Sequence, residues 1–563
     1  RSHLDRHLKL FLFYYVDIMR QQMRKIFIYL AFLPFIAIAE DDSVGHAAQN
    51  TSNDERLHRV PEDCSLVMAE STIANSGWGV FSLQSHTRGE ALPHADDIVI
   101  HVTDPSPVYA VGMKRLIWEY LWDGQEVGGQ YEGQRVMSLA PGIGMLGNGQ
   151  AKEFNVQSRQ PANDNAGIDR TAPGAGAISH YHNLTWDIQK DIEPGSEIFV
   201  NYGEGWFKER GFDSRSDISG TRSVEYLRQH GYCLDNLYPD RSTISGAGRG
   251  AFARRDLEEG RIVAPIPLIA LKDESLRMAK EHESGRVVVS EQLLRNYCFG
   301  HHNSSILLYP YSPMINLINH ASGDNANVKP RWNPRSKPLF DLPFTDLQDH
   351  ATGLLMELVA TKPIKAGEEI LLDYGKEWEN AWEQHMRHWS ESRSGSDQYT
   401  SSQTANADDR YRVLKTAMEL QSDPYPENLF TSCYFRYSLD REAMGPNTPG
   451  KILIWKDSPG LTKEPRNLRP CVVMNRHPAE DGEMQYTVRM LNRPGLIPVE
   501  RIPKGQPCVV TAVPRHAVEF SDKMYTTDQH LEHAFRKEIG LDIFPYQWKD
   551  LTQQGQNSAT LHA

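Results

Sequence analysis

Tyr309-Pro-Tyr-Ser-Pro-Met-Ile-Asn-Leu-Ile-Asn-His-Ala-Ser322 is the most informative stretch of this 563-residue chain. An apolar run ends there in an Asn-His pair. Asn327-Val328 follows, and the segment closes with Glu357-Leu-Val-Ala-Thr-Lys-Pro-Ile-Lys-Ala-Gly-Glu-Glu-Ile-Leu-Leu-Asp-Tyr-Gly375. The alternation over Met356–Ala360 predicts a strand, Lys365-Ala-Gly367 a turn, and Glu369–Leu372 a second short strand. Taken singly, an Asn-His pair in a loop is ordinary turn chemistry, and Tyr-Gly is an ordinary strand end. Packing alone does not account for their succession.

Working outward, Gly248-Arg-Gly-Ala-Phe-Ala253 and Asp256-Leu-Glu-Glu-Gly260 stand upstream. The stretch Ser242-Thr-Ile-Ser-Gly-Ala-Gly-Arg-Gly-Ala-Phe252 has a counterpart in Ser71-Thr-Ile-Ala-Asn-Ser-Gly-Trp-Gly-Val-Phe81, which Arg88-Gly-Glu90 follows. Gly248 lies 171 residues after Gly77, and the same spacing separates Gly260 from Gly89 and Asn319 from Asn148. From there the spacing is 172, for Asn327 and Asn155, Gly367 and Gly195, and Tyr374 and Tyr202. A domain-sized, nearly constant offset predicts two tandem copies rather than a solenoid. Residues 63–212 are the first copy and residues 235–385 the second. Asp213–Thr221 reads as a polar connection and Val224–His230 as a short helix. Trp378 and Trp382, four apart, mark a helix that closes the second copy.

The ordered set of motifs resembles the SET domain, the fold of many lysine methyltransferases that use S-adenosylmethionine. The resemblance implies a mostly β fold with some α. It would comprise two tandem SET (β-clip-like) domains of short twisted sheets around a knot-like crossing, and a smaller β-rich, helix-capped C-terminal domain. It also implies roles. Gly248 and Gly250 would let the backbone approach the cofactor, with Arg249 beside it. Asn319 and His320 would bind its amino-acid and adenine parts. Tyr374 would be catalytic, orienting the lysine amine at the mouth of its channel and helping to lower its pKa. The family pattern continues Ser-Cys after Asn-His, whereas this chain has Ala321-Ser322. The first copy keeps Gly77, Trp78, Gly79 and Tyr202. However, it has Asn148-Gly149 where the second has Asn319-His320, and a Gly/Ala/Pro/Asn-rich stretch between Lys152 and Ala177. It is therefore expected to be degenerate, with the second copy as the catalyst.

The rest of the chain bounds these expectations. Arg20, Arg24 and Lys25 precede the apolar run Ile26–Ala39, which ends Ala37-Ile-Ala39 before Glu40-Asp-Asp42. Those are the parts of a secretory signal, and the run is short for a membrane span. Residues 1–39 are thus upstream sequence and leader, and residues 40–62 a polar linker. No stable span is expected once the leader is removed. Residues 386–409, rich in Ser, Asp, Gln and Asn, read as a flexible linker. Within residues 410–556, Tyr411–Leu420 and Thr527–Glu538 read as helices. Four strands are expected around Trp455, Cys471, Tyr486 and Cys508. Trp455, Tyr486 and Tyr525 suit either a core or a peptide-binding groove. The six cysteines form no C-x-x-C, so no metal site is readable. They fit either disulfides in an oxidising compartment or dispersed buried thiols. A net charge of −13 gives no support to nucleic-acid binding.

Two functions compete at this stage. One is an S-adenosylmethionine-dependent protein-lysine N-methyltransferase whose partner is a protein substrate with an exposed lysine. The other is a catalytically silent, SET-derived peptide-binding protein of the secretory pathway. The retained motifs of the second copy favour the enzyme, in the nucleus or cytoplasm if the leader is unused. The leader favours the secretory pathway or ER.

Overall fold

The structure is a computed structural model. It describes residues 60–549 except 94–95, 97–99, 104–118, 124–135, 151, 160–183, 204–205, 208–219, 246, 283–284, 350–351, 389–399, 401, 427–428, 436–451, 464–466, 480–481, 492–507 and 523–534. The leader and Tyr525 lie outside the described residues. No described helix is long and apolar enough to cross a membrane.

The second region is built on an eight-stranded sheet. In spatial order its strands are Asn319–His320, Leu371–Leu372, Val328–Trp332, Leu354–Ala360, Ile262–Lys272, Ile306–Pro310, Phe299–Gly300 and Ile539–Gly540. Ile262–Lys272 carries an unbroken apolar run because both of its faces are covered. Successive side chains of a strand point to opposite faces. Thus Ile266, Leu268 and Ala270 enter one core with Leu308 and Met356, while Ile269 and Leu271 enter another. That other core belongs to the first region. It holds Leu66, Val80, Ile143, Trp186 and Ile198, so the first region packs on the back of the second region's sheet.

The two regions share strand order and register. In the second, Asn319 pairs in parallel with Leu371, His320 with Leu372, and Val328 with Leu372. In the first, Asn148 pairs with Phe199, Gly149 with Val200, and Val156 with Val200. The helix Val224–His230 forms as expected, capped by the Ser223 side chain, which accepts from Tyr226 N. Cys64 and Cys233, with Cα atoms 6.1 Å apart, form a disulfide that joins the start of the first region to the connection. The other four cysteines are buried and form no disulfide.

Four expectations change. Tyr411–Leu420 is not a helix, because its backbone donors bond elsewhere. Leu414 N donates to Tyr486 Oη, Lys415 N to Tyr425 Oη, and Ala417 N to Val473 O. Within the expected linker 386–409, Ser402–Ala407 is a helix that buries Ala405 and exchanges hydrogen bonds between Asn406 and Phe520. The expected unit 410–556 divides in space. A six-stranded sheet spans Leu429–Asp522, with Trp455 and Tyr486 in its core rather than in a groove. Residues 535–549 instead return to the second region's sheet. Of the expected helix 527–538, residues 535–538 are irregular and the rest lie outside the described residues.

Candidate functional site

The glycine hairpin Leu237–Arg241/Arg249–Ala253, the Asn319–His320 strand and the Leu371–Leu372 strand meet at one buried carboxylate. Glu369 Oε1 accepts from Ser242 Oγ (2.7 Å) and Asn319 Nδ2 (3.0 Å). Its Oε2 accepts from Thr243 N (2.7 Å) and from the Thr243 hydroxyl. Burial works against this carboxylate. The hydrogen bonds from Thr243, Asn319 and Ser242 outweigh it and hold the pKa below the ordinary 4.5. Asn319 Nδ2 also donates to Arg249 O (2.9 Å).

Gly248 has a φ of +73°, the left-handed region that suits glycine. At Gly250 a Cβ would overlap the Glu369 carboxylate. The requirement for glycine at 250 is therefore met by the protein's own packing. Sequence reasoning passed over Glu369. The signal was present, since Glu197 precedes it by 172 residues and Ser71-Thr72 precedes Ser242-Thr243 by 171.

The first region repeats the lock. Glu197 Oε1 accepts from Ser71 Oγ and Asn148 Nδ2, and its Oε2 accepts from Thr72 N. Asn148 Nδ2 donates to Trp78 O, and a Cβ at Gly79 would overlap Glu197. Gly77 has the same φ as Gly248, +73°.

Beside the lock in the second region lies a cavity of about 180 Å³. Arg249, Tyr297, Asn316, Asn319, Tyr374 and Ile539 are among its walls. The Tyr374 hydroxyl donates to Ile318 O, and burial, followed by the nearby Tyr297, pushes its pKa up. Asn316 Nδ2 donates to Pro310 O (3.1 Å), while its Oδ1 is buried without a hydrogen-bond partner among the described residues. A second cavity of about 190 Å³ lies against Tyr374 together with His301, Trp378 and Glu538. Tyr374 is thus a wall common to both.

His320 does not line either cavity. Its Nδ1 accepts from Tyr374 N (3.0 Å), and its ring stands 5.3 Å from that of Tyr374 and 4.9 Å from that of Trp378. The structure therefore brings Arg249, Asn319 and Tyr374 around one cavity, sets Gly248 and Gly250 in the hairpin beside it rather than on its walls, and puts His320 behind Tyr374.

The tail completes these walls. Ile539 pairs with Phe299, Gly540 N donates to Tyr374 O, and Asn296 Nδ2 donates to Phe535 O. Arg295 holds the tail through Glu538 (2.8 Å) while also pairing with Asp273 and Glu291. Nothing in the sequence pattern placed residues 535–540 there.

Residues 248–375 match the family described as the SET domain. This part of the chain is a SET domain. The match does not extend to residues 63–212. No curated protein matches the chain. Solved structures similar to it include the polycomb repressive complex 2 of Chaetomium thermophilum, at 20% identity and a TM-score of 0.18. They also include a ctPRC2 structure in an autoinhibited conformation bound to S-adenosylmethionine, at 25% identity and a TM-score of 0.18. Each match covers 28% of this chain and 17% of the other.

Proposed function

We propose that the SET domain of this protein is an S-adenosylmethionine-dependent protein-lysine N-methyltransferase, and that residues 63–212 are a second, degenerate SET-derived copy. The observation that carries the first part is Tyr374 standing as the common wall of two cavities, as a reaction between two ligands requires. The residues fit a cationic cofactor. Asn316 Oδ1 is a buried acceptor with no hydrogen-bond partner among the described residues, and the rings of Tyr297 and Tyr374 flank the same space. Arg249, Asn316, Asn319 and Tyr374 would hold the cofactor, which when bound supplies a methyl group on a sulfonium.

The chain's own contribution is positioning and exclusion of water. Tyr374 donates its only hydroxyl proton to Ile318 O, which leaves its oxygen free to accept from a lysine amine. Its raised pKa keeps it a neutral phenol. His320 and Trp378 fix the ring, and the Glu369 lock fixes Asn319 and the glycine hairpin. The second part is supported by the matched register and by the duplicate lock at Glu197.

The test is calorimetry of S-adenosylmethionine on the full chain. Binding by the wild type that is lost in Asn319→Ala and kept in Tyr374→Phe is expected. Absence of binding by folded wild-type protein would leave a catalytically silent peptide-binding protein. The Cys64–Cys233 disulfide supports that second reading, because such bonds persist in oxidising compartments such as the secretory pathway.

A further inference from the structure

In the first region the place of the histidine is taken by an aromatic ring. Gly149 stands where the second region has His320, and a Cβ at Gly149 would overlap the Tyr202 ring. Tyr202 keeps the anchoring of its counterpart, since its hydroxyl donates to Gly147 O (2.8 Å) as that of Tyr374 does to Ile318 O. Against this ring opens a separate cavity of about 260 Å³, lined also by Trp122, Trp186, Asn201, Gln157 and Ser158. A water takes about 30 Å³ of liquid volume, so the space admits a group of several heavy atoms.

Trp122 stands at a steep angle to each of the other two rings rather than stacked on them, and Trp186 is itself almost wholly buried. Trp122 lies 6.3 Å from Trp186 at 61°, and 5.8 Å from Tyr202 at 85°. Each ring has its polar atom turned into the protein. Trp122 Nε1 donates to Gly144 O (3.0 Å), and Trp186 Nε1 donates to Asp96 Oδ2 (3.2 Å). Trp206 packs against Tyr202 at 4.9 Å and holds it in place. The surroundings carry negative charge. Burial raises the pKa of Tyr202, and Tyr120, Glu119 and Glu197 raise it further.

We propose that this cavity binds a quaternary ammonium group, the side chain of trimethyllysine in a peptide. Aromatic rings attract such a cation through their quadrupoles, within about 6 Å of the ring centroid. An unmodified lysine brings three N–H donors that need acceptors. Here the two indoles offer none and Asn201 Oδ1 already accepts from Gly203 N, so only the Tyr202 oxygen and the rim side chains remain for such an ammonium. A trimethylated nitrogen has no donors and leaves none unsatisfied. Exposed Gln157 and Ser158 at the rim suit the flanking peptide backbone. The site does not depend on methyl transfer in the SET domain, and it would read a mark of the kind that domain is proposed to write.

The test is ligand-observed NMR titration on the full chain with N-acetyl-trimethyllysine amide, the unmodified lysine amide, a neutral tert-butyl analogue and choline. Trimethyllysine is expected to bind about tenfold tighter than either the unmodified or the neutral probe. Trp122→Ala should abolish binding, Trp122→Phe should restore part of it, and Tyr374→Phe should leave it unchanged. Circular dichroism of both Trp122 variants checks that they fold. Equal binding of the neutral analogue, no binding at all, or full binding in folded Trp122→Ala overturns the proposal. So does loss in Tyr374→Phe, which would put the site in the SET domain. Tighter binding of choline than of trimethyllysine overturns the peptide as its source.

Discussion

Residues 148–200 and 319–372 carry the same parallel strand pairing and the same carboxylate lock, yet the side chains packed around the rings of Tyr202 and Tyr374 differ. The SET domain backs its tyrosine with His320 and Trp378 and borrows a wall from residues 535–540. The first region lets the tyrosine ring lie over Gly149 and surrounds it with Trp122, Trp186 and Trp206. The skeleton and the site are therefore separable. Glu197 and Glu369 hold the glycine hairpin against the sheet in both, whatever the neighbouring cavity does.

This comparison can be broken most directly at the lock. Glu369→Ala leaves Ser242 and Thr243 without their acceptor and takes one of its acceptors from Asn319, and a loss of about 3 kcal/mol or more is expected. Glu197→Ala should cost the first region a similar amount. Chemical denaturation of the two variants measures this, and a large effect in one with none in the other would show that the locks are not equivalent. Next in size is the tyrosine pair. If Tyr374 orients the lysine amine as proposed, Tyr374→Phe removes one hydrogen bond to it, worth about 1.5–3 kcal/mol, or roughly 10- to 100-fold in kcat/KM. Tyr202→Phe should leave methyl transfer unchanged, as measured with radiolabelled methyl donor.

Gly149→Ala forces the Tyr202 ring out of its place. Overpacking of this kind costs about 1–3 kcal/mol, read as a lowered Tm, and it should also weaken binding at the Trp122 cage. The smallest effect is with pH. Glu369 has a folded pKa held below the ordinary 4.5, so its contribution is fully present above that value and is lost as pH falls through the depressed one. Tm measured from pH 5 downward should fall less steeply in Glu369→Gln than in the wild type.

Much of the skeleton was legible because its signals are local. The strand Leu354–Ala360, the turn at Gly367 and the helix of Trp378 follow from alternation, turn residues and helical spacing. The spacings of 171 and 172 match Asn148 to Asn319 and Tyr202 to Tyr374. Local signals misled where donors were claimed from afar. Tyr411–Leu420 has helical spacing, but Tyr486 and Val473 take its backbone N–H groups.

What the sequence determined by itself was individual strands such as Met356–Ala360, the repeat spacing, the glycines and the candidate residues Asn319 and Tyr374. Tertiary structure alone decided what those glycines face, that His320 supports Tyr374 from behind, and that residues 535–549 close the site. It also decided that Gly149 makes room for a ring. The reason is reach. Ser242 meets Glu369 across 127 positions and Arg295 meets Glu538 across 243, and no periodicity within a strand or helix records a contact made by folding the chain back on itself.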